Sequence, residues 1–549
     1  MPITQIQFWV SGALTALFVL LASKIYIKKD YLVLSGIIFA LTAVVITASL
    51  IVSSFFTDLS YDGQGYHQAT IAALDKGWNP LTQNIDGLKG FKSENKLWID
   101  AYPNANDIVV NNIYKVTGNV EMGKAITFIL ILISWILGFI ALLKLKVSKW
   151  LAALLITIAV FNPVNVMQIF TFGLDSQFYS LMLILFSLGV LMYMRTHRYI
   201  TYAGIFITTI MIINNKLTSI AYLGVFIGFI CLVILWKKKY KLFFQACGLF
   251  LASIVVGVLL FGYHPYVTNY ENHKSVLYPI YVNAQVDSVA YDFSENRPSN
   301  YVHDNQLDLF VRSIFFEPNG NFSAPQDAAK MRVPFIFSQS ELNSFIYLGP
   351  KEGGFGVLFS GIITLLVLMA GLMIFLRKTI QANWRDIVIA VAGLAIVLIT
   401  CIINPLNNVA RYIPQLWLII PIMLWIAWRF KHTAITVLSV LILAIAFINT
   451  AMIFNKDFNF NASSAAELSG YLHKLADETK NAPIKVNFSQ SEGNQFLLNY
   501  YNVKYVEDTG SSVDFTCSGK LVKKRLLDNI GNSTAVMCVD TTMVKNLGL

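Results

Sequence analysis

The stretch Asp58-Leu59-Ser60-Tyr61-Asp62-Gly63-Gln64-Gly65-Tyr66-His67-Gln68 follows the second of twelve apolar runs and opens a polar segment over residues 54–121. Two carboxylates, Asp58 and Asp62, therefore stand where the chain leaves an apolar span. Ten more apolar runs come after it. The reading is a helical membrane protein with polar chemistry gathered at one membrane surface.

Working outward, the apolar runs lie near residues 8–27, 31–53, 122–143, 150–169, 176–194, 199–213, 217–236, 242–262, 355–376, 387–403, 412–428 and 433–454. A bilayer crossing takes about 20 apolar residues, so each run reads as a transmembrane helix. Composition agrees. The chain is 56% hydrophobic and only 13% charged, against about 25% charged in soluble domains, and its mean hydropathy is +0.59. The fold class expected is an α-helical polytopic membrane protein of about twelve transmembrane helices.

The net charge of +10 does not point to nucleic acid, because the basic residues punctuate the apolar runs. Lys24, Lys28 and Lys29, then Lys144, Lys146 and Lys149, then Arg195 and Arg198 occupy alternate connections. Lys237, Lys238, Lys239 and Lys241, then Arg377, Lys378 and Arg385, then Arg429 and Lys431 continue the alternation. All six clusters share one side, which the positive-inside bias makes the cytoplasm. Both termini and the loops 54–121 and 263–354 then face outward. Residues Met1 to Gln7 carry no basic region and do not read as a secretory signal.

Two domains are expected: a membrane module over 1–454 and a polar C-terminal domain over 455–549. The latter alternates a helix-like stretch, Ala465 to Lys480, with strand-like stretches at Ile484 to Phe488, Val503 to Val506 and Ala535 to Val539. A small α/β fold fits that alternation. Cys517 and Cys538 both fall in this outward domain, where a disulfide is permitted. Cys231, Cys247 and Cys401 lie in apolar runs and read as core. No metal-ligand spacing, Walker loop or dinucleotide fingerprint occurs.

Three outward hairpin tips carry polar groups. Residues 199–236 must go out and back, and at a rise of about 1.5 Å per residue they span about 57 Å, barely two crossings. The tip Asn214-Asn215-Lys216 is therefore shallow, and Lys216 there calls for an anionic partner. The hairpin 150–194 presents Asn162, Asn165, Gln168, Asp175 and Gln177. The hairpin 387–428 turns at Asn404-Pro405-Leu406-Asn407-Asn408-Val409-Ala410-Arg411-Tyr412. An acid pair, a lysine and an arginine thus face one surface, a combination suited to an anionic lipid headgroup with chemistry beside it.

Plainer readings compete. Asp62 could cap the helix that ends near Asp75. Lys216 could snorkel to lipid phosphate, and Arg411 could pair with Asp175 or with an aspartate of the first loop. Asp175 reads first as a structural partner for one of those cations. His67 and His264 lie beside aromatic residues and read first as packing or interfacial residues rather than catalysts.

With those residues in view, the chain resembles the GT-C superfamily of integral membrane glycosyltransferases. It is similar to bacterial members with a YDG-x-x-YH stretch, here Tyr61 to His67, followed by a GWNP element at Gly77 to Pro80 and a YP element at Tyr102-Pro103. The likeness continues through Lys216-Leu217-Thr218, Pro265-Tyr266, Asn269-Tyr270, Tyr278-Pro279 and Ala410-Arg411-Tyr412. It covers about 58–415. The chain departs from the simplest layout in placing two helices, rather than one, before the loop with the aspartates. A lone Asp175 stands where a second acidic motif would be.

The resemblance implies sugar transfer from a polyprenyl-phosphate or polyprenyl-diphosphate donor to an envelope glycan, lipid or protein at the outer face of a bacterial plasma membrane. It implies Asp62 as general base, with Asp58 as runner-up, and Lys216 and Arg411 on the donor phosphate. Asp175, His67, Tyr412, Tyr266 and Tyr270 are the substrate-binding residues it implies. Trp78, Trp98 and Tyr278 join Tyr266 and Tyr270 as sugar-stacking candidates, although an interfacial aromatic belt has the same composition. No cofactor is expected, with a divalent metal left open. Two other classes stay in view: a transporter or lipid-linked-sugar flippase, which commonly shows repeated halves and polar groups at mid-membrane, and a non-catalytic assembly protein of the same fold.

Overall fold

The computed structural model describes residues 5–27, 30–89, 91, 93, 95–282, 286, 297–303, 305–319, 328–377, 384–488, 492–508, 520–522 and 536–539. Helices α1 (Gln5–Ile27) and α2 (Tyr31–Ser54) form a hairpin at the periphery, with few of their residues buried. The first polar loop folds into a π-helical turn (Gly63–His67) and the short helices α3 (Gln68–Asp75), α4 (Lys96–Ala101) and α5 (Ala105–Thr117). Then come α6 (Ala125–Lys144), α7 (Lys149–Val160), α8 (Pro163–Gln168) and α9 (Leu174–Tyr193). Helices α10 (Arg198–Ile213), α11 (Ser219–Trp236) and α12 (Tyr240–Val256) follow.

The second polar loop contains α13 (Thr268–His273), α14 (Gln306–Ser313) and α15 (Gln339–Asn343). The bundle closes with α16 (Phe359–Phe375), α17 (Trp384–Ile402), α18 (Ile419–Ala427) and α19 (Thr433–Glu478). Eight described helices are long and apolar enough to cross a membrane, and four shorter apolar segments accompany them. Together they coincide with the twelve apolar runs, and the chain is an integral membrane protein. Helix α9 is the central post, with most of its residues buried. One apolar core gathers α16 to α19 around Trp417, Ile420 and Ile442. The other gathers α9 to α12 around Leu185, Ile212 and Phe250.

Two expectations change here. The run 150–169 is not one span: α7 stops at Val160, and Pro163 sits in the first turn of α8 with the Asn162 side chain accepting from the Asn165 N–H. Proline lacks an amide hydrogen and keeps the preceding residue out of the helical region, so the helix must restart there. Asn162, Asn165 and Gln168 are buried inside the protein. The run 433–454 does not end at 454 either. Helix α19 carries through the 454–455 division for 46 residues.

The end of α19 enters the C-terminal domain. Leu468, Leu472 and Leu475 pack on Ile484, Val486, Leu497 and Val503, and Leu59 of the first polar loop joins the same cluster. The domain holds β1 (Ile484–Asn487), α20 (Asn494–Tyr500), β2 (Tyr505–Glu507), β3 (Lys520–Val522) and β4 (Val536–Val539) in sheet order β2-β1-β4-β3. β1 pairs parallel with β2, and β4 pairs antiparallel with β1 and β3. Cys517 and the Cys538 side chain lie outside the described residues.

This domain rests on the first polar loop. Lys76 reaches Glu492 at 3.3 Å, and the Tyr114 and Phe496 rings meet edge-on at 4.6 Å. At Gly493 an added Cβ would fall 2.3 Å from the Gln68 Cβ, so only glycine fits the seam.

Candidate functional site

The first polar loop is held to the bundle by Asp58, which is fully buried. Its Oδ2 accepts from the Phe172 N–H at 2.6 Å and its Oδ1 from the Ser60 N–H at 2.7 Å. Its own N–H donates to Glu121 at 3.0 Å, and Glu121 pairs with buried Lys124 at 2.5 Å. Burial raises the Asp58 carboxyl to about pKa 6 against the opposing charge of Lys124. Both its oxygens serve backbone amides. Asp58 is a strut, and its place as runner-up base is not the one these contacts give it.

Asp58 also shapes the next turn. A Cβ on Gly63 would lie 1.9 Å from Asp58 Oδ2, so the chain must be glycine there to wind past the carboxylate. The segment winds as a π-helix, closed by the Gln68 N–H donating to the Gly63 carbonyl. Single π turns often mark functional sites, because the wider turn re-aims side chains.

Asp62 stands at the head of that turn. Its side chain caps no amide, which removes the capping reading, and it meets Arg411 instead, with Nη1 to Oδ2 at 2.6 Å. Of the two partners expected for Arg411, the first-loop aspartate is the one found. Burial works against the charge on Asp62, but Arg411 overrides it and holds the carboxyl below its ordinary range. Arg411 in turn donates from Nη2 to the Tyr412 hydroxyl at 3.1 Å.

Lys216 pairs with Asp175 at 2.5 Å. Asp175 lies in the first turn of α9, where the helix dipole favours an anion, and its second oxygen accepts from Gln168 at 3.1 Å. The tip that carries Lys216 is pinned on both flanks. Asn215 donates to Gln177 at 3.2 Å, and Asn214 to the Gly257 carbonyl at 3.0 Å. The snorkelling reading gives way to a built ion pair.

Tyr412 joins the two pairs. Lys216 Nζ lies 4.6 Å and the Arg411 guanidinium carbon 4.9 Å from its ring centroid. Its carbonyl accepts from Asn404 at 3.1 Å and from the Tyr222 hydroxyl at 3.2 Å. Two cations therefore flank one ring, each with a carboxylate partner.

A cavity of about 270 Å³ lies within the bundle, and Tyr222, whose hydroxyl donates to the Tyr412 carbonyl, is part of its lining. Tyr222, Gln415 and Phe178 line it near the cluster, and Ile389, Leu145 and Trp425 line it towards the basic ends of the helices. Its walls come from α6, α7, α9, α11, α17 and α18 and are almost wholly apolar.

The other expected residues divide. His67 is buried rather than interfacial, with Nδ1 3.1 Å from Asp107. Tyr266 is buried with its hydroxyl donating to the Ile213 carbonyl at 2.5 Å, so it acts as packing. Trp78 is buried too, with its indole N–H donating to the Gln83 carbonyl. Tyr270 is an exposed ring under Lys274, and no described contact brings it to the cluster. Tyr278 stacks on His273 with centroids 3.6 Å apart.

Sequence reasoning missed Asp107 and the Glu121–Lys124 pair, because nothing in the spacing joins 107 or 121 to the aspartates. Tyr66, in the π turn, lies within electrostatic reach of Asp62, Arg411 and Tyr102. Among the described residues no three His, Cys, Asp or Glu side chains gather as a metal site.

No protein-family model matches this chain, and no curated protein does. Among solved structures, ArnT from Cupriavidus metallidurans in the apo state aligns over 86% of each chain with 12% identity and a TM-score of 0.45. ArnT from Cupriavidus metallidurans bound to undecaprenyl phosphate aligns over 86% of each chain with 11% identity and a TM-score of 0.38.

Proposed function

We propose that this protein is a GT-C type glycosyltransferase. It transfers a sugar from a polyprenyl-phosphate donor to an envelope acceptor (glycan, lipid or protein) at the outer face of a bacterial plasma membrane. The observation that carries the reading is the pair of ion pairs about the Tyr412 ring, Asp62 with Arg411 and Asp175 with Lys216, one hydrogen bond away from Tyr222, which lines an apolar cavity between the helices. A ligand with an anionic head and a long apolar tail matches that layout: the tail lies in the cavity and the phosphate reaches the two cations.

Binding and activation are then linked. The donor phosphate competes with Asp62 for Arg411 and with Asp175 for Lys216. Once Arg411 turns to the phosphate, Asp62 loses the contact that depresses its pKa and becomes a stronger base. Asp62 takes the proton from an acceptor hydroxyl as that oxygen bonds to the anomeric carbon. The anomeric carbon–phosphate oxygen bond breaks, and the phosphate departs with the electron pair. Lys216 and Arg411 stabilise the departing charge, commonly the largest catalytic term in a dry site. The attack is in line and inverts the anomeric centre.

The test is transfer of label from a panel of radiolabelled polyprenyl-phosphate sugars to a cell-envelope glycan extract, with the protein in lipid nanodiscs. The wild type transfers label, and a folded Asp62→Asn variant that still binds donor does not. Undiminished transfer by that variant would move the base elsewhere, and no transfer by the wild type from any donor would remove the enzymatic reading.

A further inference from the structure

Asp62 alone is an unsatisfactory proton store. Its strength as a base is limited by the cations beside it, and the proton it gains must leave before the next cycle. A second titratable group lies within electrostatic reach of it. Asp62 precedes the π-helical turn with helical backbone angles, and His67 ends that turn. In an α-helix, residues five apart point about 140° from each other. The wider π turn, closing from i to i+5, brings them onto nearly one face. Consistent with this, each of the two side chains lies within electrostatic reach of the other.

The imidazole is oriented. Nδ1 faces both oxygens of Asp107, at 3.1 and 3.3 Å, so Nδ1 is the donor of that bond. In the neutral ring Nε2 is then the acceptor. Nε2 is buried and has no hydrogen-bonding partner, in a residue only 3% exposed. An unsatisfied buried acceptor is expensive to keep, and its presence beside a reaction centre is a reason to look for a proton. Burial lowers the proton affinity of the ring, but the Asp107 carboxylate overrides this and raises it above the ordinary value.

We propose that His67 and Asp107 form the proton reservoir of the site. The proton taken from the acceptor hydroxyl by Asp62 is relayed to His67 Nε2, with the Asp107 carboxylate balancing the imidazolium. Asp62 is returned to its ionised form, and the proton leaves His67 after the products depart. No bond order changes at His67 except the N–H bond formed and later broken. This rests on the glycosyl-transfer reading above and adds to it the route of the proton. His67 acts through Asp62, so it is a positioning and proton-holding residue.

The charged groups around the ring are Asp107 from α5 and Asp62 and Asp58 from the loop on which His67 itself sits. Arg411 is reached through Asp62, and Lys124 and Glu121 through Asp58. To start a cycle His67 must be neutral, so activity falls at low pH as the ring protonates. The donor phosphodiester has no ionisation in that range, which leaves the limb to the protein.

The experiment is the pH–rate profile for the wild type, His67→Gln and Asp107→Asn in nanodiscs, using whichever radiolabelled polyprenyl-phosphate sugar the wild type consumes. Removing the Asp107 charge lowers the proton affinity of His67, so the acid limb of Asp107→Asn moves to lower pH. In His67→Gln that limb is lost and kcat falls by about 10² to 10⁴, with the donor KM unchanged. If His67→Gln does not fold, the limb of Asp107→Asn decides. An unmoved limb in Asp107→Asn, or a His67→Gln variant with wild-type kcat and profile, overturns the proposal while leaving the transfer reaction standing. A wild type that transfers nothing overturns the functional reading and this inference together.

Discussion

Arg411 Nη1 lies 2.6 Å from Asp62 Oδ2 across 349 positions of sequence. That bond ties the hairpin between α17 and α18 to the first polar loop, and it places the proposed base under the control of the group proposed to hold the donor. A ligand that takes Arg411 therefore changes Asp62 without touching it.

Arg411→Ala removes a charged contact to the donor phosphate, an interaction worth about 1.5–3 kcal/mol. The expected loss is about 10- to 100-fold in affinity for a polyprenyl phosphate, measured by binding in nanodiscs. Arg411→Lys recovers only part of it, because one ammonium cannot serve the carboxylate and the Tyr412 hydroxyl from a planar fork. Equal behaviour of the alanine and lysine variants would contradict the fork geometry.

Gly63→Ala forces a methyl group against Asp58 Oδ2. The π turn must open or Asp58 must release its two amides, at a cost of about 1–3 kcal/mol. A lower Tm together with loss of transfer is expected. Gly36→Ala in α2 is the control, since nothing lies within 4 Å of its added Cβ. That variant keeps the Tm or raises it slightly, as helical Gly to Ala favours the helix.

The Asp62 pKa is depressed from 3.8 by Arg411 in the folded protein, against burial. Its contribution to stability is therefore present above pH 3.8 and is lost as pH falls through the lower folded value. The Tm gap between wild type and Asp62→Asn should be constant above about pH 5 and shrink below about pH 4. Thermal unfolding in detergent across that range reads it directly. A gap that widens on acidification would mean that the carboxyl is not held ionised.

Gly393→Phe places a ring in the apolar cavity, where the nearest neighbour of an added Cβ is Phe229 at 3.5 Å. Long-chain donors should lose affinity, while donors with a chain of two or three isoprene units keep theirs. KM measured against chain length separates the two. A uniform rise for all chain lengths would place the tail outside this cavity.

The bundle was legible because its signals are local. Twelve apolar runs state where the helices lie without reference to partners, although the ends at Val160 and Glu478 do not follow from them. Lys216 and Arg411 were legible as cations on the side that the positive-inside bias depletes, and Asp62 as a carboxylate where the chain leaves an apolar run. Which carboxylate each cation would meet was not legible, because Asp175 and Asp62 are equally plausible partners until the chain is folded. The break at Pro163 was written in the sequence and was overrun by the length of the apolar run around it. Asp107 could not be found at all: its role comes from a contact across forty positions, and its neighbours on α5 look like any polar helix. For His67 packing and interface stayed open together, because aromatic neighbours mark both a membrane boundary and a packed loop, and the fold buries it.

Helix α19 has a mechanical meaning of its own. Its 46 residues at about 1.5 Å each make a rod of about 69 Å, over twice the hydrocarbon thickness of a bilayer. The lower part stands among the membrane helices, and the upper part is the spine of the C-terminal domain. A rod without a joint transmits torque. A turn of the C-terminal domain about this axis is carried to α16 and α18, on which α19 packs, beside the hairpin that carries Arg411.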